Sequence, residues 1–316
     1  MSDVHVIEPG MLTTIQDLGR WGFQAWGVPV AGPMDSRSHR FANALVGNPQ
    51  AAATLEVTIV GPELEFSDRR SIAVTGAEFE MAIDGRVVAP NVTFRATAGS
   101  RLRFGRRVRG ARAYIAVSGG VSVSPILGSR ATHVASAMGG QNGRRLQAGD
   151  RLPLGDGMPL RETSSVVHAS FSSSLPDGHA RVRVLPGAQH DDFSDEAVQV
   201  LQAAPYRIAG ESNRMGFRLE GEPLVPRRGA DIISDATPMG ALQVPGSGLP
   251  ILLMADRQTT GGYPKIAAVI SADLSLAGQL VPGDTISFVM CSPREALAAL
   301  IAQERALAAV EHPEAR

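Results

Sequence analysis

Cysteine is nearly absent from this 316-residue chain: Cys291 is the only one. A single cysteine excludes a disulfide framework within one chain and fits a reducing, cytoplasmic setting. Its position at the end of an apolar run, just before Ser292 and Pro293, reads as a small buried hydrophobe rather than a nucleophile. An excess of one charge is missing too. Lys+Arg is 30 and Asp+Glu is 31, a formal net charge of -1, which argues against a general nucleic-acid binder. No apolar run reaches the roughly 18 residues of a membrane-spanning helix. The opening MSDVHVIEPGMLTTIQD lacks the basic and apolar regions of a signal peptide.

Familiar chemical motifs are also missing. The sequence has no GxGxxG after a strand, no GxxxxGK[ST], no HExxH and no GxSxG. The seven histidines are scattered, and His190 with Asp191 and Asp192 reads as a surface turn, so no metal site is expected. Lysine occurs once, at Lys265.

What is abundant is turn formers: 34 Gly and 21 Pro, a composition suited to many short strands. Strand-like pieces run from Val4 to Ile7, Thr13 to Gln16, Leu55 to Val60, Ser71 to Val74 and Phe79 to Ile83. Ser36 to Val46 has helical spacing, with Ser38 as a possible cap and a stop near Gly47-Asn48-Pro49. Six arginines lie between Arg101 and Arg112; alternation with Leu102, Phe104 and Val108 suggests solvated strand faces and a turn. The serine-rich stretch Glu162 to Gly178 reads as a linker or surface excursion. It places the domain boundary near residue 175, with lobes of 1–175 and 176–316 and possible exchange of segments between them.

The halves rhyme. LQAGDRLPL (Leu146 to Leu154) and LVPGDTISF (Leu280 to Phe288) both send a Gly-Asp turn into a strand, as two related barrel-like lobes would. The end is helical: Ser292-Pro293-Arg294-Glu295 is a capping box with proline at the first helical position. Leu297, Leu300, Ile301 and Leu307 follow at helical spacing, so this apolar side should pack on a lobe.

Polar residues concentrate in glycine-rich turns at strand ends. The segment Thr13 to Asp35 holds both tryptophans, Trp21 and Trp26, with Gln16, Asp17, Arg20 and Asp35. A second segment is Glu211 to Gly221. A third, Gly240 to Ala267, runs from an apolar strand into Asp256, Arg257, Gln258, Thr259, Thr260, Gly261, Gly262, Tyr263 and Lys265. Arg214 and Arg257 suit a carboxylate through charge-assisted bonds. Gln243, Gln258 and Asn213 suit an amide or ureido group. Thr259, Thr260 and the N–H groups near Gly261-Gly262 could hold an oxyanion. Tyr263 or Lys265 could transfer a proton or cover a ring. The site is expected around Arg257 to Lys265, with Arg214 and the Gln16-Asp17 region nearby. A structural alternative is a buried network that pins a tight turn, Arg257 pairing with Asp256 or Asp17.

These three segments resemble the signatures of the biotin-dependent carboxyltransferase family. That family includes the second subunit of allophanate hydrolase, the C component of 5-oxoprolinase and the KipA antagonist component. The opening pattern is GMLTTIQDLGRWGFQAWGVPVAGPMDSRSHRFANALVGN (Gly10 to Asn48), the middle one SNRMGFRLEG (Ser212 to Gly221). The later one is GALQVPGSGLPILLMADRQTTGGYPKIA, followed by PGDTISF at Pro282 to Phe288. A departure is ISDA at Ile233 to Ala236, where relatives commonly carry Ser-Glu; Asp235 is one methylene shorter. The resemblance implies a mainly β chain of two cyclophilin-like β-barrel lobes with few short helices and a C-terminal helix. It implies a smaller companion, the B component of 5-oxoprolinase or the first subunit of allophanate hydrolase, and a third, A-like component. Such complexes open 5-oxoproline to glutamate at the expense of ATP. Fused relatives pass a carboxyl group from carboxybiotin to urea, and KipA-like members act against a sensor-kinase inhibitor system. The chain has no Met-Lys biotin-accepting motif, so any biotin belongs to another chain.

Overall fold

The computed structural model describes residues 2–157 and 175–311, which form two compact units. The first takes in the described parts of 1–20, 31–175 and 305–316; the second takes in 21–30 and 176–304. The stretch read as a linker lies, up to residue 174, outside the described residues.

The first unit is a branched nine-stranded sheet. Its strands are β1 (Asp3–Glu8), β2 (Leu12–Gln16), β3 (Thr54–Thr58), β4 (Glu63–Phe66), β5 (Arg70–Ile83), β6 (Arg86–Val87), β7 (Thr93–Ala96), β8 (Arg101–Val117) and β9 (Arg151–Pro153). The main path runs β2-β3-β8-β4-β1-β9, and β5 pairs with β6, β7 and β8. Alternation in β1 buries Val4 and Val6, which join Ile15, Leu55, Leu64, Phe66, Ile72 and Ile115 in one core.

The arginine-rich stretch contains no turn. It is one continuous 17-residue strand, and register shifts against β5 take up its irregularity. Three of its arginines are exposed and pair across the sheet, Arg101 with Glu65 at 2.7 Å, Arg103 with Glu63 at 3.0 Å and Arg106 with Glu80 at 2.9 Å, whereas Arg112 is buried. Exposed pairs of this kind contribute at most about 1 kcal/mol each, so they guard a strand face rather than form a ligand site.

Helix α1 (Ser36–Leu45) is capped by Asp35, not Ser38. The Asp35 carboxylate accepts from Ser38 N at 2.9 Å and from Ser38 Oγ at 2.6 Å. Ser38 already lies inside the first turn, where its own N–H needs an acceptor. The buried side of α1, with Phe41 and Leu45, packs with Tyr114, Ala116, Leu307 and Val310.

The second unit is a closed barrel. It is built from β10 (His179–Pro186), β11 (Tyr206–Ile208), β12 (Gly216–Glu220), β14 (Ala241–Gln243), β15 (Ile251–Leu253), β17 (Lys265–Val269) and β18 (Thr285–Met290). The order is β10-β17-β14-β15-β12-β11-β18, closed by the parallel pairing of β18 with β10. Outside the barrel, β13 (Asp235–Ala236) and β16 (Thr260–Gly261) form a two-stranded ribbon. Helices α2 (Asp195–Ala203) and α3 (Leu274–Gly278) are short, and α4 (Pro293–Glu311) is the long last one. The α4 capping box forms as read: Ser292 N donates to Glu295 Oε2 at 2.8 Å and Glu295 N to Ser292 Oγ at 3.2 Å. Leu297 and Ile301 stay exposed, at 58% and 42%, so burial is confined to the last turns of α4.

The rhyme between the halves is visible in each unit's turn chemistry. Gly149 and Gly283 both take positive φ, 89° and 96°. Gly149 N donates to Val6 O at 2.8 Å and Gly283 N to Ile208 O at 2.9 Å. The following aspartate accepts a backbone N–H three residues back, from Gln147 in one case and Val281 in the other. No helix of the described residues is long and apolar enough to cross a membrane.

Candidate functional site

In the second unit the site begins with a bulge. Strands β14 and β17 pair Leu242 with Ala267 but Gln243 with Lys265, leaving Ile266 as the extra residue. A one-residue slip turns a side chain to the other face of a sheet. The bulge therefore sets Lys265 directly opposite Gln243, on the same face.

Both side chains are buried, each 2% exposed. The Lys265 ammonium lies 3.0 Å from Asp235 Oδ2, and no other side chain among the described residues pairs with it. Gln189 ties this pair together: its Nε2 donates to Asp235 Oδ2 at 3.2 Å and its Oε1 accepts from Lys265 N at 3.2 Å. Lys265 first, then Gln189 and the Ala236 N–H, hold the Asp235 carboxyl below the usual carboxylate range.

Gln243 Oε1 accepts from Gln258 Nε2 at 3.3 Å, while Gln243 Nε2 is buried with no partner among the described residues. Gly261 lies against these two amides. A Cβ there would sit 2.5 Å from Gln243 Nε2 and 3.3 Å from Gln258 Nε2, so any side chain at this position would displace the Gln243 amide. The ribbon aligns Asp235 with Gly261 and Ala236 with Thr260. It is fastened by Thr237 Oγ1, which donates to Gln258 O, and by Ile232 N, which donates to Gly262 O at 2.9 Å.

The two arginines have protein partners. Arg214 grips Asp256 through Nε and Nη2, both at 2.9 Å, with each side chain 7% exposed. Arg257 donates from Nε to Thr237 O at 2.6 Å and from Nη1 to Met254 O at 3.4 Å. Burial lowers the Arg257 pKa, opposed by Asp256. Asn213 forms a local turn, its Oδ1 accepting from Met215 N at 2.8 Å. Thr260 and Tyr263 are exposed; Thr259 and Gly262 are half-buried.

Gln16, Asp17 and Asp35 belong to the first unit. Gln16 Nε2 donates to Thr14 Oγ1 at 3.0 Å and to Thr132 O at 3.1 Å, and its buried Oε1 has no partner among the described residues. Asp17 accepts from Gly19 N, Ser129 Oγ and Arg130 N at 3.0, 2.6 and 2.5 Å. The Asp35 N–H donates to Tyr114 Oη at 2.8 Å, which itself donates to Glu56 Oε2 at 2.7 Å. Burial, with Glu56 adding to it, pushes the Tyr114 phenol well above its usual range.

Sequence reasoning missed Gln189 and Thr237, and it noticed Asp235 only as a departure from a familiar string. Glu56 and Tyr114 were missed as buried polar groups because each stands in an apolar-looking strand, and His39 because its neighbours Ser36 to Arg40 look like a solvated helix start. Among the described residues no group of three His, Cys, Asp or Glu could hold a metal ion. His190 instead donates from Nδ1 to Ile266 O at 3.0 Å.

The second unit thus sets a cation and carboxamide donors beside one carboxylate acceptor. That set matches the C=O and N–H of an amide. The sequence model of the family described as carboxyltransferase domain, subdomain A and B, matches residues 26–290. The chain is 39% identical to the C component of 5-oxoprolinase from Escherichia coli, over 96% of each chain. It is 31% identical to the urea amidolyase of Lachancea kluyveri, covering 97% of this chain but 18% of that one. The urea amidolyase structure from K. lactis superposes with a TM-score of 0.89 at 32% identity, over 98% of this chain and 20% of the other.

Proposed function

The chain belongs to the carboxyltransferase domain family, subdomain A and B, and within it we propose that it is the C component of an ATP-dependent 5-oxoprolinase complex. In that reading the complex opens 5-oxo-L-proline: the ring C–N bond breaks, water adds, and L-glutamate forms as ATP is consumed. The observation that carries it is the end-to-end match to a protein named as the C component of 5-oxoprolinase, where the urea amidolyase match spans only part of a longer chain. The geometry supports an amide substrate, because Lys265 and the Gln243–Gln258 pair supply donors and Asp235 supplies an acceptor. The sequence carries no phosphate-binding loop, so nucleotide handling is assigned to the A-like and B-like partner components.

A second reading, carboxyl transfer to urea or a related amide, is favoured by the urea amidolyase relatives. It requires biotin on another chain, because Lys265 is the only lysine here and is 2% exposed. Co-expression with A-like and B-like components tests the first reading. The chains should co-elute and consume ATP only when 5-oxoproline is present, and this chain alone should be inactive. Avid carboxylation of urea without 5-oxoproline-dependent ATP consumption reverses the ranking.

A further inference from the structure

An unpartnered donor inside a protein is costly. Leaving a buried N–H without an acceptor gives up its bond to water with nothing in return. The second unit carries this cost at Gln243 Nε2. Directly across the strand pair, the Lys265 ammonium has three N–H groups and one carboxylate neighbour. Both nitrogens meet the same Asp235–Gly261 pair of the ribbon, Lys265 Nζ at the Asp235 carboxylate and Gln243 Nε2 against Gly261, and both are short of acceptors. The cover over them is thin. The β13–β16 ribbon has two residue pairs and stands outside the barrel. Ile233, just before it, is 94% exposed, and Ala236 and Thr260 are exposed within it. Asp235, on the ribbon, is half exposed while its lysine is buried.

We propose that Gln243 and Lys265 form the floor of a subsite for the carbonyl oxygen of a cyclic amide, with Asp235 accepting the ring N–H and the β13–β16 ribbon closing over the ring. A ring holds its amide cis, so C=O and N–H lie on one edge. That edge matches a donor pair beside a carboxylate acceptor 3.0 Å from one of the donors. An open-chain secondary amide is trans and presents the two groups on opposite edges. Ligand binding gives Gln243 Nε2 the acceptor it lacks. Gly261 leaves that amide in place, because a Cβ there would press on Gln243 Nε2 and displace it. The inference deepens the reading of this unit as an amide-processing site and rests on it for its choice of substrate class. The ring can come from a lactam or from a cyclic urea such as a biotin head, which share this edge.

The test measures binding to the full chain by calorimetry, using 5-oxo-L-proline, its N-methyl derivative, 2-imidazolidinone and the open-chain N-acetylglycine. Both N–H ring compounds should bind. N-methylation should weaken 5-oxoproline at least about tenfold, and N-acetylglycine should bind at least about tenfold more weakly. Gln243→Leu should lose ring binding at least tenfold with little change in melting temperature, since the unsatisfied Nε2 it removes offsets the loss of the long 3.3 Å bond from Gln258 Nε2. Asp235→Asn should shrink the N-methyl penalty to below threefold. Tighter binding of 5-oxoproline than of imidazolidinone assigns the subsite to the lactam; the reverse assigns it to a cyclic urea. Equal binding of the N-methyl and N–H lactams, unchanged binding in Gln243→Leu, or no ring binding overturns the proposal. Turnover of the reconstituted complex is read separately. Normal turnover in Gln243→Leu sinks the subsite alone, whereas absent turnover with ring binding intact sinks the 5-oxoprolinase reading alone.

Discussion

Lys265 and Asp235 form an ion pair at 3.0 Å in which the lysine is buried, at 2% exposure, and the aspartate is 46% exposed. The asymmetry fixes which partner titrates against the fold. Lys265 holds the Asp235 carboxyl below its ordinary range. A carboxyl whose folded pKa is depressed contributes stability that is complete above its unfolded value, near 3.9. That contribution is lost as pH falls through the lower folded value. Asp235→Asn should therefore melt earlier than wild type at pH 6, and the gap should close as pH falls below about 4. Thermal melts of both proteins from pH 6 to pH 3 check this; a gap that stays constant means the pair adds nothing to the fold.

Arg214 and Asp256 make a different kind of pair, because both are 7% exposed and bidentate. Their backbones are also joined, Asp256 N donating to Arg214 O at 2.8 Å. Removing one partner of a buried pair strands the other, at a cost of about 3–5 kcal/mol. Arg214→Ala should lower stability by that order in a denaturant titration, and Arg214→Lys should recover little of it, since an ammonium cannot reproduce the fork. Wild-type stability of Arg214→Ala would free this arginine for a ligand role.

How legible the site was depended on sequence distance. The strands of the first unit were readable because local alternation, as in Val4 and Val6, is set by which side chains face a core. The capping box of α4 was readable because its two partners are three residues apart. The cap of α1 was misplaced by three residues because Asp35 and Ser38 are both good caps and only the backbone decides between them. The glycine-rich loop that presents Gln258 and Gly261 announced itself by composition. The bulge that turns Lys265 toward Gln243 did not, because Ile266 has no signature as an extra residue. Gln189 was invisible for a related reason: it meets Asp235 and Lys265 across 46 and 76 residues, and nothing local marks it. The long arginine strand looked as if it should turn, because its pairing with β5, which keeps it extended, is also non-local.

His39 gives a pH prediction in the first unit. The ring is fully buried; its Nε2 lies 3.1 Å from Gln50 O and its Nδ1 2.9 Å from Thr54 Oγ1. A carbonyl only accepts, so Nε2 carries the proton and Nδ1 accepts from the threonine hydroxyl. Burial pushes its pKa from 6.5 down to about 4, against the pull of Asp17. The folded state thus resists protonation that the unfolded chain accepts. The stability tied to the neutral ring is complete above pH 6.5 and is lost as pH falls toward 4. The shift corresponds to about 3 kcal/mol at most. His39→Gln, which can still hydrogen-bond but does not titrate, should flatten the dependence of unfolding free energy on pH in that window. An unchanged slope would assign the acid sensitivity elsewhere.

Arg257 is the residue whose replacement best separates chemistry from architecture. The residue is 8% exposed, and its guanidinium anchors the carbonyls of Thr237 and Met254. Thr237 in turn donates to Gln258 O, so Arg257 supports the same loop that positions the Gln258 and Gln243 amides. Asp256, offered by the sequence as its partner, is gripped in a bidentate pair by Arg214. Arg257→Ala should reduce turnover of the complex at least about tenfold, roughly 1.4 kcal/mol in the barrier. It should also lower the melting temperature, because the Thr237 carbonyl loses its donor at a cost of about 1–3 kcal/mol. Arg257→Lys restores a positive charge but cannot reach two carbonyls with a fixed fork. If Arg257 acts by positioning the amides, the lysine variant should regain melting temperature more than turnover, with the loss falling in KM for the amide substrate. If Arg257 instead neutralises a developing charge, the lysine variant should regain kcat, leaving KM near wild type in both substitutions. Steady-state kinetics of the two variants beside their melting curves decides between these outcomes.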